Sequence, residues 1–213
     1  MPLPEGVTHW DGPPLEAWRP WTPEEAARVL AGCGVPWCVV GGWAVDLSLG
    51  RVTRAHDDLE IAISRPDFPA IRDHLEAAGL TLYVVGDGEV RTLAPGAVTP
   101  PEKHQNWACD PIAQEWRMDV MLEPGDATTW VFRRDESITA PRAFMVGNTN
   151  GIPHLKAHGA LLYKAKAARP KDEADFAIAA PTLASDERAW LIEALALAHP
   201  GHAWIAVLET CKF

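Results

Sequence analysis

The chain has 213 residues, 47% of them hydrophobic, and a formal net charge of −10. That length and apolar content support one large domain or two small ones with a sizeable core. The charge argues against nonspecific nucleic-acid binding, which needs a basic surface, and suits attraction of a cationic small molecule. No run of about 18 apolar residues occurs, so no membrane span is expected. The start, MPLPEGVTHWDGPP, lacks the basic and apolar regions of a signal peptide. Cys33, Cys38, Cys109 and Cys211 form no CxxC pair and no zinc spacing. They read as free thiols in a reducing cytoplasm.

Residues 1–21, rich in Pro and Trp, read as an extended arm packed on the surface. Thr22-Pro23-Glu24-Glu25 is a helix start, with Thr as N-cap, Pro at N1 and Glu at N3. That helix is predicted to reach about Ala31. Residues 37–40 predict a short buried strand. Gly41-Gly42 then turns into a helix over 43–49, closed by Gly50. Residues 57–63 predict the next strand and 66–78 a helix ended by Gly79. Residues 80–85 and 89–93 predict a hairpin around Gly86-Asp87-Gly88. Residues 94–113 read as a loop. Residues 115–122, 128–132 and 143–146 predict strands, and 148–153 a turn-rich boundary. Helices are predicted at about 158–168, 172–180, 186–198 and 201–210. His154 and His158 read as surface residues. The fold class is α+β: a small mixed β-sheet with flanking helices over residues 1–147, then a helical bundle over 148–213.

The chemistry concentrates in residues 39–63, VVGGWAVDLSLGRVTRAHDDLEIAI. Asp58 and Glu60 stand at i and i+2, so a strand projects both to one face, roughly 7 Å apart at Cα. Paired acids repel each other and raise each other's pKa. A divalent cation between them removes the conflict. The Gly41-Gly42 turn bares backbone N–H groups at a helix start, where phosphate binds. Asp119 sits inside the apolar run Met118–Leu122 as a third acid. Buried there, it needs a partner or a metal. A strand neighbouring that of Asp58 would bring all three together, and such hard oxygen donors suit Mg²⁺. A salt bridge to Arg117 or a lysine is the alternative for Asp119. Arg54 and His56 lie just before the acids, placed to contact phosphates; the alternative for Arg54 is an ion pair with Asp57. Asp46 reads as a brace to Arg51 or Arg54 rather than a metal ligand. Lys164 is placed to neutralise phosphates from the helical half, or else lies on a solvated face. His104 and Trp107, in the long loop, are candidates for lining an acceptor pocket.

The stretch GGWAVDLSLGRVTRAHDDLE resembles the signature of the aminoglycoside 2''-O-nucleotidyltransferase family, within the DNA polymerase β-like nucleotidyltransferase superfamily. The matching positions are Gly41, Gly42, Asp58, Glu60 and, further on, Asp119. Glu60 stands where the closest aminoglycoside enzymes carry Asp. The resemblance implies an enzyme with the nucleotidyltransferase fold that uses ATP and one or two Mg²⁺ ions. The implied metal ligands and catalytic residues are Asp58, Glu60 and Asp119. The implied nucleotide contacts are Gly41, Gly42, Arg54, His56 and Lys164. The partners are a nucleoside triphosphate and a small-molecule hydroxyl acceptor, with an aminoglycoside-like cation leading. A lincosamide, a metabolite, a protein or a tRNA end are the alternatives, as is a nucleotide-binding module without turnover. The oligomeric state is left open by the sequence.

Overall fold

A computed structural model describes residues 6–210. Cys211 and the first five residues of the expected arm lie outside them. Among the described residues, Cys33, Cys38 and Cys109 form no disulfide.

The arm is tied down at once. Strand β1 (His9–Trp10) joins a sheet, and Trp18 bridges Trp116. Helix α1 (Pro23–Val29) begins as predicted: the Glu25 N–H donates to the Thr22 hydroxyl at 3.2 Å, and the Thr22 N–H donates to the Glu25 carboxylate at 2.8 Å. Strand β2 (Trp37–Val39) leads into α2 (Gly41–Leu49). Gly41, at φ +66°, makes the turn itself, so the helix starts two residues earlier than predicted. Gly50 closes it with its N–H on the Asp46 and Leu47 carbonyls.

Strand β3 (Glu60–Ser64) starts later than predicted, which leaves Asp58 in the preceding loop. Helix α3 (Phe68–Ala77) follows a short 3₁₀ turn. Strands β4 (Thr81–Gly86) and β5 (Glu89–Thr92) form the predicted hairpin. The loop expected over 94–113 instead contains strand β6 (Gln105–Asp110), which is paired on both sides. Strand β7 (Glu115–Glu123) matches its prediction, and β8 (Thr129–Val131) pairs with β9 (Thr139–Pro141). The strand expected at 143–146 is helix α4 (Arg142–Met145). The expected boundary at 148–153 is a hairpin of β10 (Val146–Thr149) and β11 (Ile152–Leu155). Its Asn150-Gly151 tip has φ of 53° and 85°, the paired positive angles of a type I′ turn. The tail is helical as predicted: α5 (Ala157–Ala165), α6 (Pro170–Ala179), α7 (Ser185–Ala198) and α8 (Ala203–Thr210). No helix among the described residues is long and apolar enough to cross a membrane.

The described residues form two compact units. The first comprises residues 6–37 and 56–123. Its strands run in the order β1-β5-β4-β6-β7-β3. Strand β3 is parallel to β7; β7, β6, β4 and β5 are successively antiparallel. Phe68, Ile71 and Leu75 of α3 are fully buried. Trp116, also fully buried, is ringed by Trp10, Trp18, Tyr83 and Trp107. Its indole N–H donates to the Pro13 and Pro14 carbonyls at 3.2 and 3.1 Å. The arm thus packs on the sheet from the surface, laying Trp10 and Trp18 against this cluster.

The second unit comprises residues 38–55 and 124–210. Helix α5 is buried on nearly every side and packs on α2, α6 and α7. This all-round burial explains its nearly continuous apolar sequence. His154 and His158 are buried here rather than on the surface, at 3% and 0% exposure. Burial pushes His158 down to about 4, so the ring that packs against Phe144 and Trp190 is neutral at physiological pH.

Candidate active site

The acidic site is built by the parallel pairing of β3 and β7, whose register sets Glu60 beside Asp119. The Asp119 N–H donates to the Leu59 carbonyl at 2.8 Å, which locks that register at its start. Neighbours Met118 and Val120 are fully buried, and Asp119 itself is 4% exposed. Its Oδ2 accepts a hydrogen bond from Gln105 Nε2 at 2.5 Å. Its Oδ1 is buried and has no hydrogen-bond partner. Burial foremost, then the Glu60 charge, raise the Asp119 carboxyl well above the usual range. Gln105 opposes this, Asp58 adds to it, and Trp107 opposes it more weakly.

Asp58 reaches this site from the loop, exposed, rather than from the strand. Period-2 alternation therefore does not govern the Asp58–Glu60 pair as expected. The three acids are neighbours electrostatically. Among the described residues, however, no set of three Asp, Glu, His or Cys side chains stands as a preformed metal cage. The donor set nonetheless fits a hard divalent cation. A buried carboxylate oxygen without a donor, next to further carboxylates, is what such an ion satisfies.

Two residues of β6 complete the surroundings. Trp107 lies opposite Asp119 in the antiparallel β6–β7 pair and is half-buried. Gln105 was not among the predicted site residues. Reading 94–113 as a loop hid it, and no local sequence pattern marks a glutamine aimed at an acid 14 residues away. His56 is half-buried in the loop before Asp58.

The other expected residues belong to the second unit. Gly41 and Gly42 form the first turn of α2, whose leading N–H groups have no intrahelical acceptor. The Asp46 carboxylate accepts the Thr53 N–H at 3.1 Å and the Thr53 hydroxyl at 2.5 Å. Arg54 pairs with Asp175 of α6. Its Nε and Nη2 donate to the two carboxylate oxygens at 3.0 and 3.1 Å. Lys164 is 8% exposed and donates to Asp175 at 2.8 Å and Asp172 at 3.3 Å. It is not on a solvated face. Burial pushes Asp175 up, but donation from Arg54 and Lys164 outweighs it and holds the carboxyl below its ordinary range.

Removing one member of such a buried network strands the others. Asp175→Ala is expected to lower unfolding stability by about 3 kcal/mol in urea melts. A loss under about 1 kcal/mol would mean that this cluster contributes little to holding the loop after α2 on α6.

Comparison with known proteins adds three findings. The family model of aminoglycoside-2''-adenylyltransferase matches residues 24–92, a stretch that includes Gly41, Gly42, Asp58 and Glu60. The resemblance read from residues 39–63 is thus borne out, while Asp119 lies beyond the matched stretch. Among solved structures, the crystal structure of ANT(2'')-Ia in complex with adenylyl-2''-tobramycin is 16% identical, covers 82% of this chain and 95% of its own, and has a TM-score of 0.53. The chain has the nucleotidyltransferase fold of that protein. A solution structure of antibiotic-resistance factor ANT(2'')-Ia is 17% identical, covering 87% and 92%, with a TM-score of 0.49. The lincomycin-bound lincosamide adenylyltransferase LnuA is 16% identical, covering 71% and 90%, with a TM-score of 0.48. No curated protein matches the chain.

Proposed function

We propose, taking the adenylyltransferase match as premise, that this chain is a Mg²⁺-dependent nucleotidyltransferase that transfers AMP from ATP to a hydroxyl of a small molecule. An aminoglycoside-like antibiotic is the leading acceptor. The observation that carries this reading is Asp119: a buried acid set beside Glu60, with one carboxylate oxygen held by Gln105 and the other without a donor. An acid is not kept there for stability, because its burial and its neighbours oppose ionisation.

Asp58 and Glu60 would hold Mg²⁺, with Asp119 as a further ligand or as the base. Mg²⁺, when bound, neutralises triphosphate charge and polarises the phosphoryl oxygen. Asp119 as base takes the proton of the acceptor hydroxyl. The hydroxyl oxygen bonds to the α-phosphorus, the bond from that phosphorus to the β-phosphate oxygen breaks, and pyrophosphate leaves with the electron pair. The chain's part is positioning and charge placement. Gly41, Gly42 and His56 are assigned to the nucleotide. Arg54 and Lys164, also assigned to the nucleotide, both donate to Asp175, a pairing that braces the loop after α2. Trp107, half-buried on the strand beside Asp119, is assigned to the wall of the acceptor pocket. A net charge of −10 favours a cationic acceptor and opposes nucleic acid. The cytoplasm, where ATP is available, is the compartment this reading requires.

The test is pyrophosphate release with Mg²⁺ and each ribonucleoside triphosphate, with and without panels of aminoglycosides and lincosamides. Release from ATP that depends on an aminoglycoside is expected. Release only with a lincosamide would move the acceptor class. Nucleotide binding without release under any acceptor would sink the antibiotic reading.

A further inference from the structure

We infer that Gln105 is a positioning residue for Asp119: its amide holds one carboxylate oxygen and thereby presents the other to the reaction. The inference rests on the reading of Asp119 given above. Gln105 opens β6, and its backbone is paired with Val85 of β4 on one side and Met121 of β7 on the other. Asp119 lies between β3 and β6 in the same sheet. Both ends of the contact therefore sit on paired strands, the kind of rigid support that fixes a side chain to within a fraction of an ångström. The amide NH₂ group of Gln105, not its oxygen, faces Asp119 Oδ2.

A residue kept only to satisfy a buried acid would belong to a set that satisfies both oxygens, as buried polar atoms generally are. Here Oδ2 is bonded at 2.5 Å and Oδ1 is left with no partner. This asymmetry fits a carboxylate whose rotation is fixed so that one oxygen remains for a cation or a proton.

The test compares wild type, Gln105→Leu, Gln105→Asn and Asp119→Asn. Leucine keeps the volume without a donor. Asparagine keeps the amide but falls one methylene short, and it carries the test if the leucine variant does not fold. Two quantities are read: the Kd for Mn²⁺ alone by calorimetry on nucleotide-free protein, and kcat with KM for ATP. Loss of a hydrogen bond to a metal-ligating carboxylate weakens metal binding about tenfold or more. Both Gln105 variants are expected to show that loss, with kcat falling by a similar factor and KM little changed. Wild-type Mn²⁺ affinity and kcat in folded Gln105 variants, with Asp119→Asn defective, would overturn the inference and leave the proposed function standing. If wild type binds Mn²⁺ no better than Asp119→Asn, the metal reading of Asp119 falls and takes the inference with it.

Discussion

Asp119→Asn is expected to cripple nucleotidyl transfer and to make the metal-free protein more stable. The two effects have one cause. Wild-type Asp119 is buried beside Glu60, and its carboxyl is raised well above the usual range. An unfolded chain releases that proton near pH 4. The folded chain therefore holds more protons over the interval above that, and stability falls as pH rises through it. This contribution is fully present below the unfolded pKa and is lost on approaching the folded one. Asparagine has no such proton to lose. The melting temperature of the variant should thus exceed that of wild type at neutral pH by a few degrees, about 2–4 °C per kcal/mol for a chain of this size. The difference should shrink towards pH 4. Mg²⁺ or Mn²⁺ should raise the wild-type melting temperature and leave the variant where it is. Turnover should fall by about 10²–10⁴-fold, the usual contribution of a positioned acid or base. A variant that melts lower than wild type at every pH, or that keeps its rate, would remove Asp119 from the centre of the site.

Asp58→Asn and Glu60→Gln should both remove metal-dependent turnover, by about 10²-fold or more, yet part company in stability. Asp58 is exposed in its loop, so its loss should leave the melting temperature unchanged. Glu60 is half-buried and its charge acts directly on Asp119. Its neutralisation should bring the Asp119 carboxyl back towards the ordinary range and flatten the fall of stability with pH. Differential scanning fluorimetry across pH, beside the pyrophosphate assay, separates the two. Full activity in either variant would end the assignment of that acid to the metal.

What the sequence disclosed follows the range of the physics. Signals confined to one turn were legible. The Thr22 cap, the Gly41-Gly42 turn, the Gly50 cap and the β4–β5 hairpin all depend on neighbours a few residues apart. The tail helices were found from their apolar spacing. Strand β6 was missed because prolines precede it and Gln105-Asn106 opens it. Its strand state is imposed by partners on both sides, not by its own propensity. Residues 143–146 predict a strand where 142–145 form a helix, because a short apolar run has no periodicity that tells the two states apart. At the site, Asp119 was legible as an acid inside an apolar run, and Asp58 and Glu60 as a closely spaced acidic pair. The Arg54–Asp175 pair was not, because it joins residues 121 apart. No rule of local spacing reaches that far.

The indole cluster of the first unit has an optical consequence. Trp10, Trp18, Trp107 and Trp116 stand with ring centroids 5.3–6.4 Å apart, mostly edge to face. At such separations their electronic transitions couple, and a fixed chiral arrangement gives a near-ultraviolet circular dichroism band that vanishes when the rings lose register. Because Trp107 lies beside Asp119 on the neighbouring strand, a cation bound at the acids would change the field felt by one member of the coupled set. The band would then serve as an unlabelled reporter of the acidic cluster, readable in a cuvette without knowledge of the acceptor.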